Sequence, residues 1–206
     1  MSEAPPVVLA SASPRRRDLL RSLCPDFQVV ISDVDERLDS GPLPDAVAGL
    51  ALRKARAVAG PLASGVVLGA DTVVVIDGEP LGKPADAAEA AAMLRRLRGR
   101  EHQVITGVAV VDAADRREAS AAVMTRVLMA SYTDGDIEAY VSTGEPLDKA
   151  GAYSIQDRGG ALVDGFVGSY TNVIGLPLEE TRRLLEGFGV AVSGARARRA
   201  PGAAAP

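Results

Sequence analysis

The chain has 206 residues, enough for one domain or one domain of two lobes. Its formal net charge of −4 argues against nucleic-acid binding by charge alone, and no apolar run is long enough to span a membrane. A single cysteine and a single histidine exclude a disulfide framework and a cysteine-cluster or multi-histidine metal site, and argue against a serine–histidine triad.

Aromatic residues make up 3% of the chain, so the core must be built from Val, Leu, Ala and Ile. With no signal peptide expected, these features fit a soluble cytoplasmic protein. In chain order, residues 7–10 read as a short buried strand, followed by the polar turn Ser11-Ala12-Ser13. Pro14 suits the first position of a helix capped by Ser13, with Leu19, Leu20 and Leu23 on its apolar face and Cys24 packed at its end. A second strand is expected over 27–31, then an acidic loop over 32–44, then a helix over 45–59. Residues 66–76 form a long apolar strand ending at the tight-turn signal Asp77-Gly78. Asp86 and Glu89 resemble a capping box that opens a helix to about residue 98. Residues 104–111 and 121–129 pair around a turn near Asp115. Thr133 starts a helix to about residue 141, a long loop fills 145–160, a strand covers 161–167, and an amphipathic helix runs over 178–188 with Gly189 as its stop. One globular domain is expected over 1–192, with a disordered Ala-, Arg- and Pro-rich tail over 193–206. Strands and helices alternate without a strict βαβ repeat, which predicts an α/β fold with a mixed sheet.

Asp71 stands in the middle of the apolar run 66–76. A buried carboxylate needs a cation, a metal or a catalytic task; the alternative is that it caps backbone at a bulge or strand end. Arg15, Arg16 and Arg17 crowd the first turn of the first helix, where the helix dipole disfavours cations by roughly 0.3–1 kcal/mol each. A polyphosphate would reverse that cost, with free N–H groups and the Ser11 and Ser13 hydroxyls assisting; otherwise the run is a solvated basic face. Arg53, Lys54 and Lys83 are ordinary alone but significant together with Glu36 and Asp71, because Mg²⁺ needs only one or two carboxylates plus substrate phosphates. Leu81-Gly82-Lys83-Pro84 is not a Walker A loop, and no GxGxxG follows a strand. His102, before a strand, reads as a structural hydrogen-bonding group rather than a base.

The runs Leu9-Ala-Ser-Ala-Ser-Pro-Arg-Arg-Arg-Asp-Leu-Leu20, Arg53-Lys54-Ala55, Gly69-Ala-Asp-Thr-Val73, Gly82-Lys-Pro84, His102 through Thr106-Gly107-Val108, Glu145 through Gln156 and Gly168 through Pro177 stand in one order along the chain. Together they resemble the Maf family of nucleoside triphosphate pyrophosphatases, once tied to septum formation. The resemblance implies an elongated, two-lobed α/β fold around a central twisted mixed sheet, similar to inosine triphosphate pyrophosphatase. It also implies a divalent metal cofactor (Mg²⁺ or Mn²⁺), a homodimer, and cleavage of a nucleoside triphosphate between its α and β phosphates. Residue by residue, it implies Asp71 as proton acceptor, and Arg15, Thr72 and Gln156 as residues tied to substrate choice. It further implies Ser11, Arg16, Lys54 and Lys83 along the phosphate cleft, and Glu36 with Asp71 near the metal.

The segment Asp148 through Gln156 resembles the branch acting on dTTP and UTP. A neutral Gln both donates and accepts, which suits the O4 and N3–H edge of uracil or thymine, whereas a Glu carboxylate suits guanine. Ser154 and Asp157-Arg158 depart from the usual continuation of this motif. The rival readings are a pyrophosphatase for 7-methyl-GTP or modified purines, and a nucleotide-binding regulator of cell division. On the leading reading the enzyme clears modified pyrimidine triphosphates, with no nucleic-acid or membrane partner.

Overall fold

A computed structural model describes residues 5–193. The expected tail lies outside the described residues except for Ser193, whose N–H donates to Leu23 O at 2.7 Å.

Seven strands form one mixed sheet, as the irregular alternation of elements predicts. Its order is β2 (Gln28–Val29), β1 (Val7–Ala10), β3 (Val66–Ile76), β5 (Glu101–Asp112), β6 (Glu118–Met129), β7 (Val163–Val167), with β4 (Glu79–Leu81) paired to β3. β1 runs parallel to β2 and β3, and the remaining pairs are antiparallel. β3 and β5 pair from Val66–Asp112 to Val75–Gln103 and are long enough to serve two cores. At one end Leu9, Leu68 and Val110 pack against α1 (Pro14–Arg21) and α6 (Leu178–Gly187) through Leu20 and Leu185. At the other, Val74, Val104 and Val127 pack against α3 (Ala87–Leu97) and α4 (Asp134–Val141) through Leu94 and Ile137. This is the two-lobed architecture. α2 (Leu43–Ala59) crosses the opposite face of the sheet, and α5 (Tyr170–Ile174) joins β7 to α6.

Local chemistry explains most boundaries. Ser13 Oγ accepts from Arg16 N at the start of α1, and Asp86 accepts from Glu89 N at the start of α3. Thr133 and Asp136 form a reciprocal capping box on α4. Asp77 and Gly78 both adopt positive φ, 55° and 79°, the two-residue type I′ turn that the dipeptide signals. That turn leads into β4, an element the sequence reading left out. The expected strand over 27–31 shrinks to two residues, because no layer covers its outer half: Val29, Val30 and Ile31 are exposed. The expected loop over 145–160 winds instead into 3₁₀ turns at Glu145–Asp148, Ala150–Ala152 and Asp157–Leu162, which delays β7 to Val163.

One break in the sheet matters for function. β5 covers one edge of β3 along nearly its full length. On the other edge β1 pairs with Val66 to Gly69 and β4 with Val74 to Ile76. Residues 70–73 between them have no strand neighbour on that side, and the cleft opens there.

Candidate active site

A cleft of about 680 Å³ lies over the free edge of β3, lined by the Ser11–Arg16 segment, Glu36, Lys54, Asp71, Thr72, Lys83 and the Asp148–Ser154 region. Strand alternation sends consecutive residues of β3 to opposite faces. Asp71 shares its face with Gly69 and points toward α2, while Thr72 shares its face with Ala70 and points toward α1.

On the α2 side, Lys54 sits in the helix's buried stripe with Val47, Leu50, Ala51 and Val58. Its ammonium therefore arrives at the sheet rather than in solvent. Nζ lies 2.8 Å from Asp71 Oδ1 and 2.7 Å from Glu36 Oε1, with side-chain exposures of 8% for Lys54, 14% for Asp71 and 66% for Glu36. The helix comes this close because the strands opposite it carry glycine. A Cβ on Gly69 would stand 2.2 Å from Ala51 O, and one on Gly107 2.4 Å from Val47 O. Gly107 is also the residue paired with Asp71 in β5. The hydrogen bond from Lys54 holds the Glu36 carboxyl below the usual carboxylate range, with Lys83 and Arg16 adding to the effect against the opposing push of burial.

On the α1 side, the arginine run divides. Arg15 lines the cleft and reaches across it to Asp148, Nη1 to Oδ2 at 3.4 Å. Arg16 turns inward: Nε donates to Gly175 O at 2.8 Å, Nη1 to Ala70 O at 2.9 Å and Nη2 to Thr72 Oγ1 at 2.9 Å. Burial pushes its guanidinium below the usual arginine value, and the Asp71 charge opposes that shift. Arg17 is not among the lining residues, so the first helical turn presents two cations to the cleft rather than three. Arg53 pairs with Asp39 and with Arg37 O, also away from the lining.

The fold thus brings Ser11, Arg15, Arg16, Glu36, Lys54, Asp71, Thr72 and Lys83 to one cleft. Gln156 is the exception. The lining of its segment ends at Ser154, and Gln156 lies two residues beyond, its N–H on Ser154 Oγ at 3.1 Å. Among the lining residues that went unassigned in the sequence reading are Asp148, Lys149 and Tyr153. Lys149 Nζ binds Asp148 Oδ1 at 2.6 Å and Glu145 O, and the Tyr153 hydroxyl meets His102 Nε2 at 2.7 Å. His102 is thereby accounted for as a structural partner, 3% exposed, and burial lowers its pKa to about 4.

Residues 6–188 match the family described as Maf-like protein. The chain belongs to the Maf family. This Maf protein is 52% identical over 184 residues to a protein of Pelotomaculum thermopropionicum named dTTP/UTP pyrophosphatase, covering 89% of this chain and 96% of that one. Proteins of the same name from Moorella thermoacetica and Myxococcus xanthus are 54% and 51% identical, covering 91% and 89% of this chain and 97% and 93% of theirs. The solved structure of the Staphylococcus aureus Ham1 protein superimposes with a TM-score of 0.53 at 20% identity, over 88% of this chain and 98% of that chain, which is a likeness of fold. The expected inosine triphosphate pyrophosphatase-like architecture is borne out. Among the described residues no helix is long and apolar enough to cross a membrane.

Proposed function

We propose that this Maf protein hydrolyses dTTP and UTP to the nucleoside monophosphate and pyrophosphate, and that Asp71 is its general base. The observation that carries the reading is the Lys54 ammonium held between Asp71 and Glu36 at the one stretch of β3 open to the cleft. The names and coverage of the relatives support it. Water attacks the α phosphorus in line, Asp71 accepts its proton, and the bond to the α–β bridging oxygen breaks as pyrophosphate leaves. Lys54 keeps the acceptor oriented. Arg15 and Lys83 contact the triphosphate, while Arg16, held by four hydrogen bonds to protein oxygens, supplies a fixed positive field against charge building on the leaving group.

A divalent cation fits the donors present. Glu36 Oε1 and Asp71 Oδ1 are taken by Lys54, so their second oxygens would hold the ion, and Mg²⁺ commonly takes one or two such ligands with the rest from phosphates and water. When bound, Mg²⁺ or Mn²⁺ supplies charge neutralisation along the triphosphate. Base choice is assigned to Arg15, Thr72 and Ser154, which all line the cleft; the backbone N–H of Gln156 holds the Ser154 hydroxyl in place. The same chemistry extends to modified pyrimidine triphosphates, carried out by a single domain acting as a cytoplasmic homodimer.

Pyrophosphate release from dTTP, UTP, CTP, GTP and 7-methyl-GTP, with Mg²⁺, with Mn²⁺ and after chelation, tests the reading. The expected result is metal-dependent turnover led by dTTP and UTP. A preference for 7-methyl-GTP would move the protein to the modified-purine branch, and no release from any nucleotide would end the enzyme assignment.

A further inference from the structure

A file of hydrogen-bonded side chains runs beneath the cleft floor, and its buried members, Thr106, Thr125 and Asn172, are not used in the chemistry above. It starts at Arg16 Nη2, which donates to Thr72 Oγ1. Thr72 Oγ1 lies 2.9 Å from Thr106 Oγ1, and Thr106 Oγ1 lies 3.0 Å from the backbone carbonyl of Asn172. Asn172 Nδ2 continues to Val104 O and Thr125 Oγ1, both at 3.0 Å, and Thr125 ends the file on Ser169 O at 3.2 Å. Thr106, Thr125 and Asn172 are fully buried.

The proton directions in this file follow from counting donors. A carbonyl only accepts, so Thr106 must give its single proton to Asn172 O. Thr72 is then the donor in the threonine pair, and its own oxygen accepts from Arg16. The Asn172 amide is fixed in the same way, because its nitrogen faces a carbonyl. Two consequences reach the cleft. The Thr72 hydroxyl has no proton left for a substrate and can offer only a lone pair. Arg16, which grips Ala70 O on the free edge of β3 and Gly175 O beyond α5, has its third anchor set by a chain of residues that never touch the cleft.

We propose that Thr106 and Asn172 are positioning residues that fix the polarity of the Thr72 hydroxyl and, through it, lock the Arg16 guanidinium over the open edge of β3. The kinetic part of this inference rests on the pyrophosphatase reading; the geometric part does not.

The test is Thr106→Val, with Thr106→Ala as a second variant should the first fail to fold, and Thr106→Ser to restore the hydroxyl. The Arg16 side-chain Nε–H resonance is followed by NMR, beside steady-state pyrophosphate release from dTTP. Loss of the hydroxyl is expected to speed Nε–H exchange at least several-fold and to lower kcat/KM by roughly tenfold, as one net hydrogen bond allows. The serine variant should recover both. In an Arg16→Lys background the same substitution should cost almost nothing further, because the two act through one group. Unchanged Nε–H exchange in Thr106→Val, or a full additive loss in the Arg16→Lys background, would overturn the inference. If the Nε–H response appears while the wild type releases no pyrophosphate from any nucleotide, the positioning role stands and the pyrophosphatase reading falls.

Discussion

Asp71 and Thr72 are adjacent on one strand and face opposite environments. Asp71 meets a charged cluster in which Lys54 is shared by two carboxylates, one of them largely exposed. Thr72 accepts from Arg16 and then meets a neutral, buried file in which nearly every donor and acceptor is committed, Asn172 Oδ1 being the atom left without a partner among the described residues. The contrast separates two tasks. A group that must move a proton or meet a phosphate has to be incompletely satisfied by the protein, with capacity left over for substrate. A group that must hold another in place works best when its capacity is exhausted. The free edge of β3 supplies both from two successive residues.

Removing the shared cation strains that contrast most. Lys54→Met leaves Asp71 and Glu36 side by side without their counter-ion, and kcat for dTTP should fall by roughly 10²-fold or more. The same variant reads out in acid. The Glu36 pKa is lowered in the folded protein, so its contribution to stability is present above the ordinary glutamate value and is lost as pH falls through the depressed one. Urea unfolding should therefore show a full gap between the wild type and Lys54→Met above about pH 5, closing as pH falls below the ordinary glutamate value. A constant gap across that range would mean that Glu36 is not held by Lys54.

His102 extends the neutral side of the comparison into the second lobe, with a smaller effect. Burial lowers its pKa to about 4, so the folded state excludes a proton that the unfolded chain takes up below about 6.5. Its contribution to stability is complete above that value and declines as pH falls toward 4, by up to roughly 3 kcal/mol. His102→Gln should flatten that part of the stability profile. A wild-type curve already flat between pH 6.5 and 4 would show that His102 is protonated without cost.

Much of this arrangement is legible in the sequence because it is local. The carboxylate inside an apolar strand, the Ser13 cap before Pro14 and the Asp77-Gly78 turn follow from spacing over a few residues. The buried file was not legible. Its links span 34 positions between Thr72 and Thr106 and 66 between Thr106 and Asn172, and a threonine in a strand gives no sign of which distant carbonyl it will meet. Asp148 and Lys149 stand in a recognisable motif, yet a charged pair in a loop does not say which groove it faces. Gln156 is a suitable hydrogen-bonding side chain in the right segment, and it stands two residues past the last residue of that segment that lines the cleft.

The central claim is that Asp71 accepts the proton of the attacking water. Asp71→Asn keeps the size of the side chain and removes its basicity, so the measurement is kcat for dTTP and UTP in a variant shown by circular dichroism and thermal unfolding to be folded. A fall of roughly 10²–10⁴-fold with KM little changed is predicted. Turnover at the wild-type rate would contradict the account.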